Sequence, residues 1–430
     1  MRAVIMAGGK GTRLSTINKC IPKPMFPMNG KPVIEYQIES LRKNGVEDII
    51  LIVGYLGDVI RKYFDDGSKW GVHISYIIEA VPLGTAGAFY YLKDIIRDDF
   101  LLTFGDLIFD ADLRRFIDFH KKNKASITLF CHPNSHPFDS DLAVADKENK
   151  VIELLSKYEG RNSYYHNLVN SGLYCINERV LKKIKTVQKL DLESEVIKPL
   201  IDEKAVFAYR STEYVKDMGT PDRLTAVEND IRSGLVEKRN FKNLQKAVFL
   251  DRDGTINILK GFLKKCDELE LLPNTAEAIK KLNNSEYLTI VVTNQPVIAR
   301  GECTVEDLEE IHKKMETELG KQGAYLDALF YCPHHPDSGF DGEIKELKIE
   351  CECRKPKIGM LIQAAEQFNI DLRKSFYIGD TTTDIQTGIN AGMKTILVKT
   401  GEAGEDRKYN VSADYEAKGL LEAVEIILRP

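Results

Sequence analysis

Short β-branched runs alternate with helical stretches along the whole chain, and several runs end directly in a glycine or aspartate loop. That alternation argues for α/β architecture with mainly parallel sheets. In the first half the runs are RAVIMA, DIILIVGY, DFLLTFGD, SITLFCH and SGLYCI; in the second they are KAVFLD, LTIVVTN, SFYIGD and TILVK. Amphipathic stretches such as PVIEYQIESLRKNG and TVEDLEEIHKKMETELGKQG fill the gaps as helices. No internal repeat and no low-complexity tract interrupts the pattern.

IRSGLVEKRNFKNLQK (231–246) is polar and basic, and a fresh strand, AVFLD, follows it. This places a boundary there: a domain over 1–235, a linker over 236–246 and a second domain over 247–430, each a doubly wound, mainly parallel sheet. The 430 residues fit this, since domains run to roughly 100–200 residues. A net charge of −5 gives no case for nucleic-acid or membrane binding. MRAVIMAGGK lacks the apolar core and cleavage site of a signal peptide, and a cytoplasmic location is expected. Nothing in the sequence decides between a monomer and a homo-oligomer.

AVFLDRDGT (247–255) is an apolar strand ending in two aspartates spaced i, i+2, then a turn. In a parallel sheet, ligands bind beyond the carboxyl ends of the strands. Asp251 can face a phosphorus atom there while Asp253 bends back over it, a carboxylate nucleophile beside a carboxylic acid/base. Further on, LTIVVTNQ ends at Thr293 and Asn294, RKP supplies Arg354 and Lys355, and SFYIGDTTTD ends at Asp380 with Asp384 one turn later.

Just before RKP, residues 332–353 read CPHHPDSGFDGEIKELKIECEC. A disulfide is not expected in a reducing cytosol, and thiolate with imidazole suits tetrahedral Zn²⁺. The spacing selects Cys332, His334, Cys351 and Cys353, with His335 able to replace His334. Four protein ligands leave no open position, so the site reads as structural, fixing Arg354 and Lys355. The other cysteines, 20, 131, 175, 266 and 303, are scattered singly and read as buried thiols.

The order acid, hydroxyl, cation, acid resembles the haloacid dehalogenase-like phosphatases over residues 247 to 418. DRDGTIN, TNQ…IARG, CPHHP, CxCRKP and IGD together resemble the heptose 1,7-bisphosphate phosphatases, which remove a 7-phosphate. The resemblance implies Asp251 as nucleophile and Asp253 as general acid/base, with Thr293 and Lys355 on the phosphoryl oxygens. It implies Mg²⁺ on Asp251, the Asp253 carbonyl and Asp380, and Gly261, Phe262, Asn294, Arg300 and Arg354 at the substrate. One departure is TNQPVIARG, where Pro296 and Val297 stand in place of Ser and Gly.

VIMAGGKGTRL (4–14) is a strand running into a glycine-rich loop. It is neither a Walker A loop, because Gly11 follows Lys10, nor a dinucleotide fingerprint, because Leu14 holds the third glycine position. Glycines 8, 9 and 11 let backbone N–H groups approach a polyphosphate, and Arg13 adds a fixed fork. GxGTRL, PKP (22–24), LGTAGA (83–88), GD (105–106), VNSGLY (169–174) and DxGTP (217–221) in this order resemble the sugar-1-phosphate nucleotidyltransferases. That implies attack of a sugar 1-phosphate on the α-phosphorus of an NTP, with release of pyrophosphate. Arg13 and Lys23 would offset charge, and Asp106 and Asp217 would hold Mg²⁺. Thr12 would join glycines 8, 9 and 11 against the phosphates, Gly84, Thr85 and Gly87 would support base and ribose, and Lys157 and Asn170 would hold the sugar phosphate. Here Ser156 stands before Lys157 where the family often has Glu.

A phosphatase making heptose 1-phosphate would feed a transferase consuming it, which suggests GTP as donor and GDP-heptose as product. Two other readings are a mannose- or hexose-1-phosphate nucleotidyltransferase joined to an unrelated sugar phosphatase, and a sugar-nucleotide-binding regulator with dead sites. Against the last, Arg13, Lys23, Asp106, Asp217, Asp251, Asp253, Lys355 and Asp380 are all present.

Overall fold

A computed structural model describes residues 1–9, 21–158, 160–161 and 163–429. Lys10, Gly11, Thr12 and Arg13 of the glycine loop, and Cys20, therefore lie outside the described residues. The chain folds as two compact units. The first is Met1–His132, Asp141–Ser156 and Leu168–Asn240; the second is Pro133–Ser140, Lys157–Asn167 and Phe241–Pro430. No helix among the described residues is long and apolar enough to cross a membrane.

The first unit is built on β1 (Arg2–Ala7), β2 (Asp48–Val53), β3 (His73–Ile78), β4 (Phe100–Phe104), β5 (Leu107–Asp110), β6 (Ile127–His132), β7 (Leu142–Ala145), β8 (Val151–Leu155), β9 (Val169–Ile176), β10 (Val206–Arg210) and β11 (Tyr214–Asp217). Its main sheet runs β8-β7-β9-β4-β1-β2-β3, with β6 also on β9 and β10 on β6. The β4-β1-β2-β3 part is parallel, while β9 enters antiparallel to β4, β6 and β7. The parallel strands are apolar on both faces because both faces are covered. Val4, Ile50 and Leu102 pack into one apolar layer, and Ala3, Ile5, Ile49, Leu51 and Leu101 into the other, by the two-residue alternation of a strand. β5 and β11 form a separate antiparallel ribbon, with Asp217 opposite Leu107.

The second unit holds β12 (Lys246–Leu250), β13 (Tyr287–Asn294), β14 (Ala328–Cys332), β15 (Phe376–Gly379), β16 (Lys394–Val398) and β17 (Tyr415–Ala417). They pair β14-β13-β12-β15-β16-β17, all parallel. Val248, Leu250, Val291 and Ile378 face one apolar layer; Ala247, Phe249, Ile290, Val292 and Tyr377 face the other. The expected helices fall at Val33–Lys43 and Val305–Lys321, the second opened by a reciprocal Thr304–Asp307 cap. In the loop after β13, Val297 and Ile298 are buried in a small apolar cluster with Cys303 and Leu308. Of the single cysteines, Cys131, Cys175 and Cys303 are buried as expected, whereas Cys266 is only half-buried at the edge of an apolar layer.

Candidate active sites

In the second unit the central strands β12, β13 and β15 end side by side, so their next residues converge. Asp251 follows β12, Thr293 lies near the end of β13 and Asp380 follows β15. All three are buried. Lys355, 6% exposed, donates from Nζ to Asp251 Oδ1 at 2.8 Å and to Asp384 Oδ1 at 2.6 Å. Asp384 is itself held by the reciprocal cap that opens helix Thr382–Asn390: Thr381 Oγ1 donates to its Oδ2 at 2.6 Å. The sequence motifs alone assign Asp384 no task, and the structure puts it at the centre of the cluster.

One oxygen each of Asp251, Asp380 and Asp384 lies within 4.8 Å of the others. Burial, then the Asp384 charge, pushes the Asp251 carboxyl up to about 7. Burial, then the Asp251 charge, pushes Asp380 up to about 8. Lys355 goes the other way: burial opposes its charge, but Asp251 and Asp384 outweigh that and hold its pKa well above the ordinary lysine range. One ammonium does not balance three carboxylates. Asp380 Oδ2 accepts from the Glu402 N–H at 2.7 Å, while its buried Oδ1 has no partner among the described residues. A hard cation taking oxygen ligands fits this set. Gly254, at φ +82°, shows why the turn needs glycine: a Cβ there would lie 2.3 Å from Asp380 Oδ2.

Asp253 accepts from Arg252 Nη2 at 2.9 Å (Oδ1) and 2.7 Å (Oδ2), from Asn257 Nδ2 at 3.1 Å and from Gln295 Nε2 at 2.9 Å. Gln295 also donates to Thr293 Oγ1 at 2.9 Å. Asn294 brackets the Lys355 backbone, accepting its N–H at 3.0 Å and donating to its carbonyl at 3.2 Å.

Cys332 ends β14, and its Sγ lies 3.6 Å from Cys351 Sγ, 3.6 Å from His334 Nδ1 and 3.2 Å from Cys353 Sγ. Cys353 Sγ lies 3.3 Å from Cys351 Sγ and 3.2 Å from His334 Nδ1. These separations are too long for a disulfide, at about 2.05 Å, and close to the edge of a tetrahedron with metal–sulfur distances of about 2.3 Å. Of the two histidines, His334 joins the cysteines, whereas His335 Nε2 lies 3.2 Å from Arg300 Nη2. The donor set fits zinc. Arg354 is tied to the same loop, donating from Nη1 to the His334 carbonyl at 3.1 Å.

Arg300 lies between two rings, its guanidinium carbon 4.6 Å from the Phe262 centroid and 4.5 Å from that of Phe340. Lys348 Nζ lies 4.4 Å from the Phe340 centroid. Phe340 and Lys348 belong to the stretch between Cys332 and Cys351 and carried no signal beyond ordinary loop composition. Gly261, at φ +75°, has nothing within 4 Å of where a Cβ would sit, so its neighbourhood is open.

In the first unit, Gly8 follows β1, and a Cβ on it would sit 2.7 Å from Glu79 Oε2. Glu79 is a further candidate that the sequence hid; burial raises its pKa, and its Oε1 is buried without a partner among the described residues. A Cβ on Gly9 would meet nothing within 4 Å. Pro24 seats against Gly105, where a Cβ would lie 2.7 Å from the proline ring, and Lys23 Nζ pairs with Asp106 Oδ2. Asp217 is one strand across: the Met218 N–H donates to the Asp106 carbonyl at 3.1 Å. Its carboxylate accepts from Arg223 Nη1 at 3.0 and 3.1 Å.

Gly84 and Gly87 have a packing reason to be glycine. A Cβ would lie 2.4 Å from the Leu190 carbonyl at Gly84 and 2.3 Å from the Gln188 carbonyl at Gly87. Thr85 Oγ1 accepts from the Leu192 N–H at 2.7 Å and bonds Asp191 Oδ2 at 3.2 Å. Asn170 Nδ2 donates to the Tyr174 hydroxyl at 2.9 Å, and that hydroxyl donates to Glu193 Oε1 at 3.2 Å. Burial raises the Glu193 carboxyl. Lys157 groups with the second unit, its Nζ 5.3 Å from the Tyr158 ring.

The nucleotidyl transferase family matches residues 2–234, and a HAD-hydrolase-like family matches residues 352–423. A D-glycero-beta-D-manno-heptose-1,7-bisphosphate 7-phosphatase of Pasteurella multocida is 39% identical over 186 residues, 43% of this chain and 97% of that relative. The chain belongs to the nucleotidyl transferase family in its first half and to the heptose-bisphosphate phosphatase family in its second. A mannose-1-phosphate guanylyltransferase of Mycobacterium tuberculosis is 32% identical to the nucleotidyl transferase half, over 54% of this chain and 65% of that relative. A solved D,D-heptose 1,7-bisphosphate phosphatase from B. bronchiseptica, complexed with magnesium and phosphate, is 33% identical to the phosphatase half, over 43% of this chain and 98% of that one, at a TM-score of 0.38.

Proposed function

We propose that the chain is a bifunctional enzyme of nucleotide-activated heptose synthesis. The second unit hydrolyses the 7-phosphate of D-glycero-D-manno-heptose 1,7-bisphosphate. The first transfers a nucleotidyl group, GMP from GTP, to the resulting heptose 1-phosphate and releases pyrophosphate. The observation that carries this is the buried Asp251–Lys355–Asp384–Asp380 cluster at the carboxyl ends of a parallel sheet. The junction between the two activities is placed at 236–246, and the enzyme in the cytoplasm, where its nucleotide donor is.

An Asp251 oxygen bonds to phosphorus while the bond from phosphorus to the sugar oxygen breaks. Asp253 gives its proton to that oxygen. Water then attacks the aspartyl phosphate, Asp253 takes a proton back, and inorganic phosphate leaves. Lys355 holds Asp251 in line and, with Thr293, offers donors to the phosphoryl oxygens. Mg²⁺ held by Asp251, the Asp253 carbonyl, Asp380 and Asp384 would offset the repulsion between a carboxylate and a phosphate dianion. This enlarges the set expected for the metal by Asp384. Zn²⁺ on Cys332, His334, Cys351 and Cys353 would close the loop that carries Arg354 and Lys355. Arg300, Phe262, Gly261 and Arg354 form the sugar side.

In the first unit an oxygen of the sugar 1-phosphate attacks the α-phosphorus of the nucleotide, and the bond to the β-phosphate oxygen breaks. Lys23 offsets charge, Asp106 and Asp217 would hold Mg²⁺, and Asn170 with Glu193 faces the sugar. The relationship to a mannose-1-phosphate guanylyltransferase supports a second reading, with mannose 1-phosphate as acceptor. Pyrophosphate release with GTP and each sugar phosphate separates them. Turnover at least tenfold faster with heptose 1-phosphate supports the first; the reverse order supports the second.

A further inference from the structure

Arg252, between the two aspartates of DRDGT, is fully buried at 0% exposure. A guanidinium in that position is costly unless it is paired and hydrogen-bonded. Its Nη2 donates to Asp253 Oδ2 at 2.7 Å and Oδ1 at 2.9 Å, and its Nε to Oδ1 at 3.2 Å. On its other edge Nη1 lies 3.3 Å from His312 Nε2. His312 is 1% exposed, and burial together with the Arg252 charge keeps its pKa well below the ordinary histidine range. A neutral ring can accept from the guanidinium at Nε2. With Asn257 and Gln295 also donating, the Asp253 carboxylate is ringed by donors among the described residues.

We propose that Arg252 is a positioning residue for the phosphatase reaction: braced by His312, it aims Asp253 and stabilises the carboxylate that remains once Asp253 has protonated the departing sugar oxygen. The proposal rests on the phosphatase reading above. As the Asp251–phosphorus bond forms, the electron pair of the breaking phosphorus–oxygen bond stays on the sugar oxygen, which takes the Asp253 proton. A charge-assisted fork stabilises the anion left behind. The help matters most when the leaving oxygen is a basic alkoxide, and little when it leaves as a stable phenolate. A buried ion pair that served only to hold the loop would, when lost, slow both kinds of ester alike.

The test uses the full-length chain with Arg252→Met and Arg252→Lys, each assayed on heptose 1,7-bisphosphate and on p-nitrophenyl phosphate. For Arg252→Met, kcat on the sugar ester should fall about 100-fold, the lower end of general-acid contributions, while the aryl ester loses less than about fivefold. Arg252→Lys, keeping the charge and losing the fork, should show the same split at smaller size. Equal losses on both esters, or no loss on either, would overturn the proposal. If Arg252→Met does not fold, His312→Leu removes the brace alone and must show the same selective loss; an unselective one overturns the role. Wild-type chain inactive on both esters would overturn the phosphatase reading itself, a result distinct from an active wild type with unselective variants.

Discussion

The two candidate sites handle charge in opposite ways. In the second unit Asp251, Lys355, Asp380 and Asp384 are all at most 7% exposed, and Lys355 ties Asp251 to Asp384. In the first, the side chains of Lys23 and Asp106 are 15% and 33% exposed, and those of Arg223 and Asp217 are 18% and 34%. A buried network must be almost complete before substrate arrives, because each unpaired charge in it is expensive. Partly exposed pairs can be opened by a polyphosphate at lower cost. We therefore read the second site as built ahead of its ligand, and the first as one that would exchange its internal ion pairs for contacts to phosphate groups.

That contrast is open to attack. The largest effect expected is from Asp251→Asn, which removes the nucleophile. Phosphate release should drop by more than about 1,000-fold with nucleotidyl transfer to heptose 1-phosphate unchanged. Loss of both activities would break the separation of the sites. Next is stability. Lys355→Met strands two buried carboxylates and should destabilise the second unit by about 3–5 kcal/mol, whereas Lys23→Met in the first should cost below about 1 kcal/mol. Equal shifts in chemical denaturation would erase the difference in charge burial. Third, Cys353→Ser removes one of the four proposed metal donors. Zinc bound per chain, measured by elemental analysis, should fall from one to near zero, and phosphate release should fall while transfer holds. A wild-type chain that carries no zinc after expression in zinc-replete medium would remove this part of the account.

The smallest effect concerns His166. Its Nδ1 and Nε2 lie 3.0 Å from Glu316 and Glu309 of helix Val305–Lys321. Burial works against its charge, but the two carboxylates outweigh it and raise the pKa to about 9. A raised pKa means the stabilisation is complete below the ordinary histidine value, about 6.5, and fades as pH climbs through about 9. Limited proteolysis within residues 157–167 should therefore speed up between pH 8 and 10 relative to a His166→Gln chain, in roughly the window set by those values. The same pH response in both chains would discard a stabilising role for the His166 pairs.

Much of this was legible in the residues. Apolar runs pointed to strands of mainly parallel sheets, several with chemistry at their carboxyl ends, and β1, β2, β4, β6 and β9 in one unit and β12, β13, β15 and β16 in the other lie where those runs do, although β9 runs antiparallel to β4, β6 and β7. What escaped is explained by chemistry shared with ordinary structure. β7 (LAVA), β8 (VIELL) and β11 (YVKD) are only four or five residues long and were not among the runs picked out in the sequence. Asp384 looks like the third residue of a helix cap, which it is, and its second oxygen does the other work. Arg252 sits between two acids and reads as a solvated turn cation, because its burial comes from helix Val305–Lys321 far along the chain, through His312. Glu79 and Glu193 are single acids whose neighbours are distant in sequence. The choice between His334 and His335 needed three dimensions, since both suit the spacing.

The most direct test of the account is one time course: the chain with Mg²⁺, GTP and heptose 1,7-bisphosphate, with phosphate and pyrophosphate followed separately. One phosphate per sugar, followed by one pyrophosphate and a GDP-heptose product, is the predicted result. An Asp251→Asn chain should make neither from the bisphosphate, yet make pyrophosphate when given heptose 1-phosphate. Phosphate release with no nucleotide sugar from either sugar phosphate, or no phosphate release at all, would contradict the two-step reading.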